Sequence, residues 1–128
     1  MPRRTLPEPT ESELEILKAL WVVGPATVRQ VNDELGGRTG YTTVLKLLQI
    51  MTGKGLVRRD ERERAHVYAP TLTKAETQRR VLGRLAGKLF DGSVGRLVIG
   101  ALEGRGTSEE DLAEIRRIID RLEKGETG

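Results

Sequence analysis

A chain of 128 residues with 37% apolar side chains holds one globular domain, or a small domain with an assembly element, and is too short for a large enzyme. It has no cysteine, which excludes disulfides, thiolate zinc sites and cysteine nucleophiles. The net charge of +3 is modest but unevenly spread: residues 8–37 carry two basic side chains against six acidic ones, and residues 38–64 carry seven against three.

The basic opening MPRRTLPEPT is not followed by an apolar run of signal-peptide type, and nowhere do 18 uncharged apolar residues occur in succession. A cytoplasmic protein without membrane insertion is expected. The first helix begins at Thr10, which has capping-box spacing to Glu13; Leu14, Leu17 and Trp21 repeat at helical intervals, and Gly24-Pro25 ends it. A second capping-box pair, Thr27 and Gln30, opens a helix with Val28, Val31 and Leu35 on its apolar face, closed by Gly36-Gly37. After the turn GGRTG, the third helix covers about residues 41–54, where Val44, Leu47, Leu48 and Met51 form one stripe. The segments LVRRD and AHVYA then read as two short strands around the charged tip ERER, with His66 on the second strand and Pro70 stopping the pairing.

Residues 73–124 show no strand pattern. Three amphipathic helical patterns follow one another, opened by Thr73 with Glu76, by Ser93 and by Ser108. The first has Val81, Leu82, Leu85, Leu89 and Phe90 on its apolar face, and the second has Val94, Leu97, Val98, Ala101 and Leu102. In the third, Leu112, Ile115, Ile119 and Leu122 alternate spacings as a coiled-coil seam does. Three helices this short bury little surface alone, so they are expected to pair with a second copy. Gly83 and Gly87, and again Gly100 and Gly104, stand four apart inside these patterns. They fit either close helix approach in a dimer or a simple excess of glycine.

Three helices and a two-stranded hairpin, in that order, give a winged helix-turn-helix. The fold class expected is mainly α with a small β-hairpin wing, residues 1–72 forming the winged helix and 73–128 a helical dimerisation domain. The outer face of the third helix carries Thr42, Lys46 and Gln49, with Thr43 and Ile50 at its edges. Lys and Gln reach base edges or phosphates, and Thr offers a hydroxyl and a methyl. The N–H groups at the helix start suit a phosphate. Arg58, Arg59, Arg62 and Arg64 would meet the DNA backbone or minor groove from the side. The competing reading is a surface helix beside a solvated charge run, with the winged helix serving protein–protein contact and no sequence-specific DNA binding. A hydrolase built on His66 with Glu61 or Glu63 lacks a partnered nucleophile. A lone histidine makes a poor metal site, and no phosphate-binding glycine loop is present, so neither metal nor cofactor is expected.

The segments LWVVGPATVRQV, GYTTVLKLLQIMTGKGLV and RAHVYAP, together with TESELEILKALW and LFDGSV, resemble the BlaI/MecI/CopY group of bacterial transcriptional repressors, the penicillinase repressor family, over nearly the whole chain. The resemblance implies a homodimer on double-stranded promoter DNA with a dyad of TACA/TGTA type. By position, Tyr41, Thr42, Thr43 and Lys46 match the family's recognition helix, and Arg62, Arg64 and His66 its wing. The DNA-facing set is therefore Thr27, Arg38, Tyr41, Thr42, Thr43, Lys46, Gln49, Arg62, Arg64 and His66. The dimerisation set is Leu85, Leu89, Val98, Leu102, Leu112, Ile115, Ile119 and Leu122. Relatives that answer β-lactams are cut by a membrane sensor protease at an Asn-Phe pair corresponding to Gly100-Ala101, so the pair itself is absent here. The paired C-terminal cysteines of copper-responsive members are absent too, and Ile50 stands where many relatives carry a basic residue.

Overall fold

The computed structural model describes residues 7–125, so the basic segment MPRRTL, judged above for signal-peptide character, and residues 126–128 lie outside it. Among the described residues the elements run α1 (Glu11–Val23), α2 (Val28–Glu34), α3 (Tyr41–Lys54), β1 (Val57–Asp60), β2 (Val67–Pro70), α4 (Lys74–Leu89), α5 (Val94–Gly104) and α6 (Glu109–Glu123). They group into two compact units that divide between Val81 and Leu82, inside α4.

In the first unit, α1 and α2 both start with a reciprocal cap. Thr10 Oγ1 accepts from the Glu13 amide at 3.2 Å while Glu13 Oε1 accepts from the Thr10 amide at 2.9 Å. Thr27 and Gln30 repeat the arrangement at the same distances. The buried face of α1 is Glu13, Ile16, Leu17, Ala19 and Leu20, rotated from the expected Leu14–Leu17–Trp21 line. Leu14 and Trp21 are half-buried at its flank. At that edge the Trp21 indole Nε1–H donates to the Leu72 carbonyl oxygen at 3.1 Å, so the polar end of the ring is satisfied. Ile16, Leu20, Val31, Val44, Leu48, Met51 and Tyr68 form the centre of the core, each no more than 1% exposed.

The hairpin is tied into this core by β2. Antiparallel pairing sets Val57 opposite Pro70, Arg58 opposite Ala69, Arg59 opposite Tyr68 and Asp60 opposite Val67. On its other edge, Tyr68 exchanges both backbone hydrogen bonds with Ala26, at 2.9 and 2.8 Å. Pro70 ends the strand, as expected, but as its last residue in register, and one further bond follows, from the Thr71 amide to the Leu56 carbonyl at 3.0 Å. Proline removes one donor, and at a strand end that loss is tolerated. His66, contrary to the sequence expectation, lies before β2, not on it, as the last residue of the loop 61–66.

One ion pair spans the unit. Glu13 is 2% exposed, and Lys54 at the end of α3 donates to both its carboxylate oxygens, at 3.0 and 2.8 Å. Burial pushes the Glu13 carboxyl up, but the hydrogen bond from Lys54, the Thr10 amide and the Lys54 charge together outweigh it and hold it below its ordinary value.

In the second unit, Ser93 and Ser108 cap α5 and α6, each accepting from the backbone amide three residues on, at 3.0 Å. Asp91 and Gly92 at positive φ turn the chain between α4 and α5. From Leu82 onward the described residues bury only Ala86 and Leu97 among apolar side chains. A Cβ on Gly100 would meet the Phe90 ring at 3.5 Å, whereas one on Gly83, Gly87 or Gly104 would meet nothing within 4 Å in the single chain.

Candidate nucleic-acid interface

The approach to α3 is fixed by its turn. Gly40, at φ 92°, donates its amide to Asn32 Oδ1 at 3.1 Å, which anchors the start of α3 to α2. Only glycine adopts that backbone without strain. No side chain caps α3, so its leading amides face outward.

From that start, the 3.6-residue period turns Val44, Leu48 and Met51 inward and leaves Thr42, Lys46 and Gln49 exposed on the opposite face, with Thr43 and Ile50 beside them. Two grooves flank this ridge. One, of about 440 Å³, is lined by Thr27, Arg29, Tyr41, Leu45, Arg64 and His66 among others, and so joins the starts of α2 and α3 to the base of the wing. The other lies against the end of α2 and is lined by Arg38, Thr39, Thr43 and Leu47 with Ser12, Glu15 and Ile16 of α1 and Leu35 just after α2. Arg62 is in neither. It lines a third groove, on the far side of the wing, with Arg58, Arg59, Asp60 and Glu61.

The predicted set is thus split by the fold. Thr27, Tyr41, Arg64 and His66 converge on one groove, Arg38 and Thr43 on the other, and Thr42, Lys46 and Gln49 stand on the ridge between them. Arg29 belongs with the first group and was missed by sequence reasoning; its spacing of two from the capping Thr27 is the signal that places both at the exposed start of α2. The Thr27 hydroxyl already accepts from the Gln30 amide, which leaves its hydrogen for another acceptor.

Seven cations on residues 38–64 overstate the positive field. Lys54 is held by Glu13, Arg59 by Glu61 at 2.8 Å, and Arg62 by Asp60 at 2.6 Å. The hydrogen bonds from Arg62 bring the Asp60 carboxyl down to about 2, so that pair persists through neutral pH. Arg38, Lys46, Arg58 and Arg64 have no ion pair among the described residues, and three of these four sit on the ridge or in its flanking grooves. Among the described residues, no cluster of three or more metal-ligating side chains occurs, and no helix is long and apolar enough to cross a membrane.

A three-helix core with an outward-facing third helix and a two-stranded hairpin clamped beside it is a winged helix-turn-helix. The chain belongs to the penicillinase repressor family, whose sequence profile matches residues 9–121. It is 34% identical over 117 residues to the transcriptional regulator BlaI of Mycobacterium tuberculosis, covering 88% of this chain and 83% of that one. It is also 21% identical over 119 residues to a penicillinase repressor of Bacillus licheniformis, covering 91% and 93%. Among solved structures, the chain is similar to the monomeric form of Bacillus licheniformis BlaI in complex with the blaP half-operator. The TM-score is 0.48 at 22% identity, covering 58% of this chain and 93% of that one.

Proposed function

We propose that this protein is a bacterial transcriptional repressor that binds promoter operator DNA as a homodimer, residues 1–72 reading the DNA and residues 73–128 holding two copies together. It has no catalytic step and needs no cofactor. The observation that carries the reading is the ridge of α3, where Lys46 stands free between Thr42 and Gln49 with Arg38 and Arg64 to either side. Family membership supports it.

The mechanism follows from two such ridges on one particle. Recognition helices spaced about 34 Å apart enter successive major grooves on one face of the duplex. Joining them makes the second contact intramolecular, so affinity depends on the dimer as much as on any base contact. Occupied promoter DNA excludes polymerase in the cytoplasm, where the DNA is. Release then needs only loss of the dimer, and a sensor protease acting near Gly100-Ala101 in α5 would achieve it. Both residues are exposed, although the helix there must open before a protease can thread it. Derepression by such a protease with the chain left whole would rule that route out.

Binding to a duplex bearing a TACA/TGTA dyad, beside a scrambled duplex of equal length, tests the whole proposal. Two chains per dyad, selective binding and a steep fall with salt are the expected results. Equal, weak binding to both duplexes would reduce the ridge to a non-specific charged surface.

A further inference from the structure

One apolar side chain stands on the outer face of α3 among polar ones. Ile50 is 42% exposed, one helical turn beyond Lys46 and two beyond Thr43, with Gln49 next to it. Its position on the wheel keeps it away from the Val44, Leu48 and Met51 stripe. Three residues further on, Gly53 shares that outer face. A Cβ there would meet nothing within 4 Å, and the residue is not among the glycines at positive φ. Neither packing within the chain nor backbone conformation therefore calls for glycine at this point of the helix, where it is a poor helix former. Its effect is to leave flat, open ground beside Ile50.

Resting on the DNA-binding reading above, we propose that Ile50 is a specificity-determining residue that reads a thymine through its 5-methyl group. The edges of the base pairs in the major groove present hydrogen-bonding groups and one apolar group, the thymine methyl. An isoleucine pressed against an amino group, a ring nitrogen or a carbonyl oxygen would strip it of water and return no hydrogen bond. Against a methyl, both surfaces gain by leaving water. Lys46 and Gln49 supply the hydrogen-bonding reading on the same face, and Gly53 lets the duplex come close. From Thr43 to Ile50 the helix axis advances about 10 Å, roughly three base-pair steps, so Ile50 meets a different base pair from the threonines.

Deoxyuridine in place of thymine removes the methyl and keeps every hydrogen-bonding group, so the test is a scan of the dyad with one thymine replaced at a time. The native protein, Ile50→Ala and Ile50→Val are titrated against each duplex. The expected result is one thymine per half-site where deoxyuridine weakens the native protein about fourfold, and about fifteenfold when both half-sites carry it, the loss of one buried methyl at each. Ile50→Ala should bind thymine and deoxyuridine alike at that position, and Ile50→Val should keep most of the difference.

An unchanged deoxyuridine pattern in Ile50→Ala would overturn the assignment while leaving DNA binding intact. A change in dimer mass in Ile50→Ala, with no position-specific loss, would overturn it in favour of contact with a second copy. No dyad preference in the native protein on all-thymine DNA would remove the DNA-binding reading and this inference with it.

Discussion

In the first unit, seven large side chains from α1, α2, α3 and β2 are each 1% exposed or less; from Leu82 onward only Ala86 and Leu97 are buried, while Leu89 is 70% and Leu122 62% exposed. Both regions consist of capped helices with apolar stripes, so local pattern does not separate them. The difference lies in the hairpin. β2 gives the first three helices something to close upon, through Tyr68 in the core and its paired backbone bonds to Ala26. Among the described residues the second unit has no such closing element, and α4, α5 and α6 leave most of their stripes exposed. A fully buried Leu, Ile or Val contributes about 1.5–3 kcal/mol, so this much exposed apolar surface is a strong drive toward a second copy. A stripe announces that a helix will be covered; it does not say by which chain.

The largest effect should come from breaking the unit that lacks its own core. Ile119→Asp with Leu122→Asp should give monomers in sedimentation and lower operator affinity by roughly 100-fold or more, the scale of effective-concentration gains. An intact dimer would remove α6 from the interface. In the same vein, if the proposed dimer stabilises the second unit, the melting temperature of the native protein should rise with its concentration.

The self-sufficient unit should instead be sensitive at its buried charge. Lys54→Met leaves Glu13 enclosed without its counter-ion and should cost about 3 kcal/mol in denaturant unfolding, with no effect on dimer mass. The pH dependence has a definite sign. Glu13 has a folded pKa below its unfolded value of 4.5, so its contribution is complete above that value and is lost as pH falls through the lower folded one. Glu13→Gln should flatten this acid limb.

Smaller effects belong to the ridge and the wing. Lys46→Ala should lose about 1–3 kcal/mol of binding with altered sequence preference if it meets a base edge, or a uniform loss across sequences if it meets phosphate. Four cations per chain on the ridge and in its flanking grooves, Arg29, Arg38, Lys46 and Arg64, all engaged in a dimer, give a slope of log affinity against log salt of about −7. Asp60→Asn should free Arg62 and steepen that slope by roughly two per dimer, with a modest gain in affinity. No change would mean that the outer side of the wing does not meet the duplex.

The caps at Thr10, Thr27, Thr73, Ser93 and Ser108 were legible in the sequence because each depends on residues three apart. So was α3, whose glycine borders and single stripe leave little choice. What could not be read depends on partners distant in the chain. Glu13 looks like an ordinary first-turn acid until Lys54 arrives from 41 residues away. The rotation of α1 reflects what surrounds it, and the register that admits Pro70 is set by Val57 across the hairpin. At the candidate site, the residue types and the ridge were legible. The pairing of Arg62 with Asp60 was hidden in a run of charges where each arginine had several acidic neighbours to choose from.

The hydrogen bond from Trp21 to the Leu72 carbonyl also has an optical consequence. Trp21 is the only tryptophan in the sequence, and its indole is fastened to the strand-to-helix segment that leads into α4. Light absorbed selectively by tryptophan therefore interrogates that junction and the flank of the core beside it. Any event that shifts α4 against α1, whether operator binding, assembly or a cut in the tail, should alter the emission colour or intensity of the native protein without an attached dye.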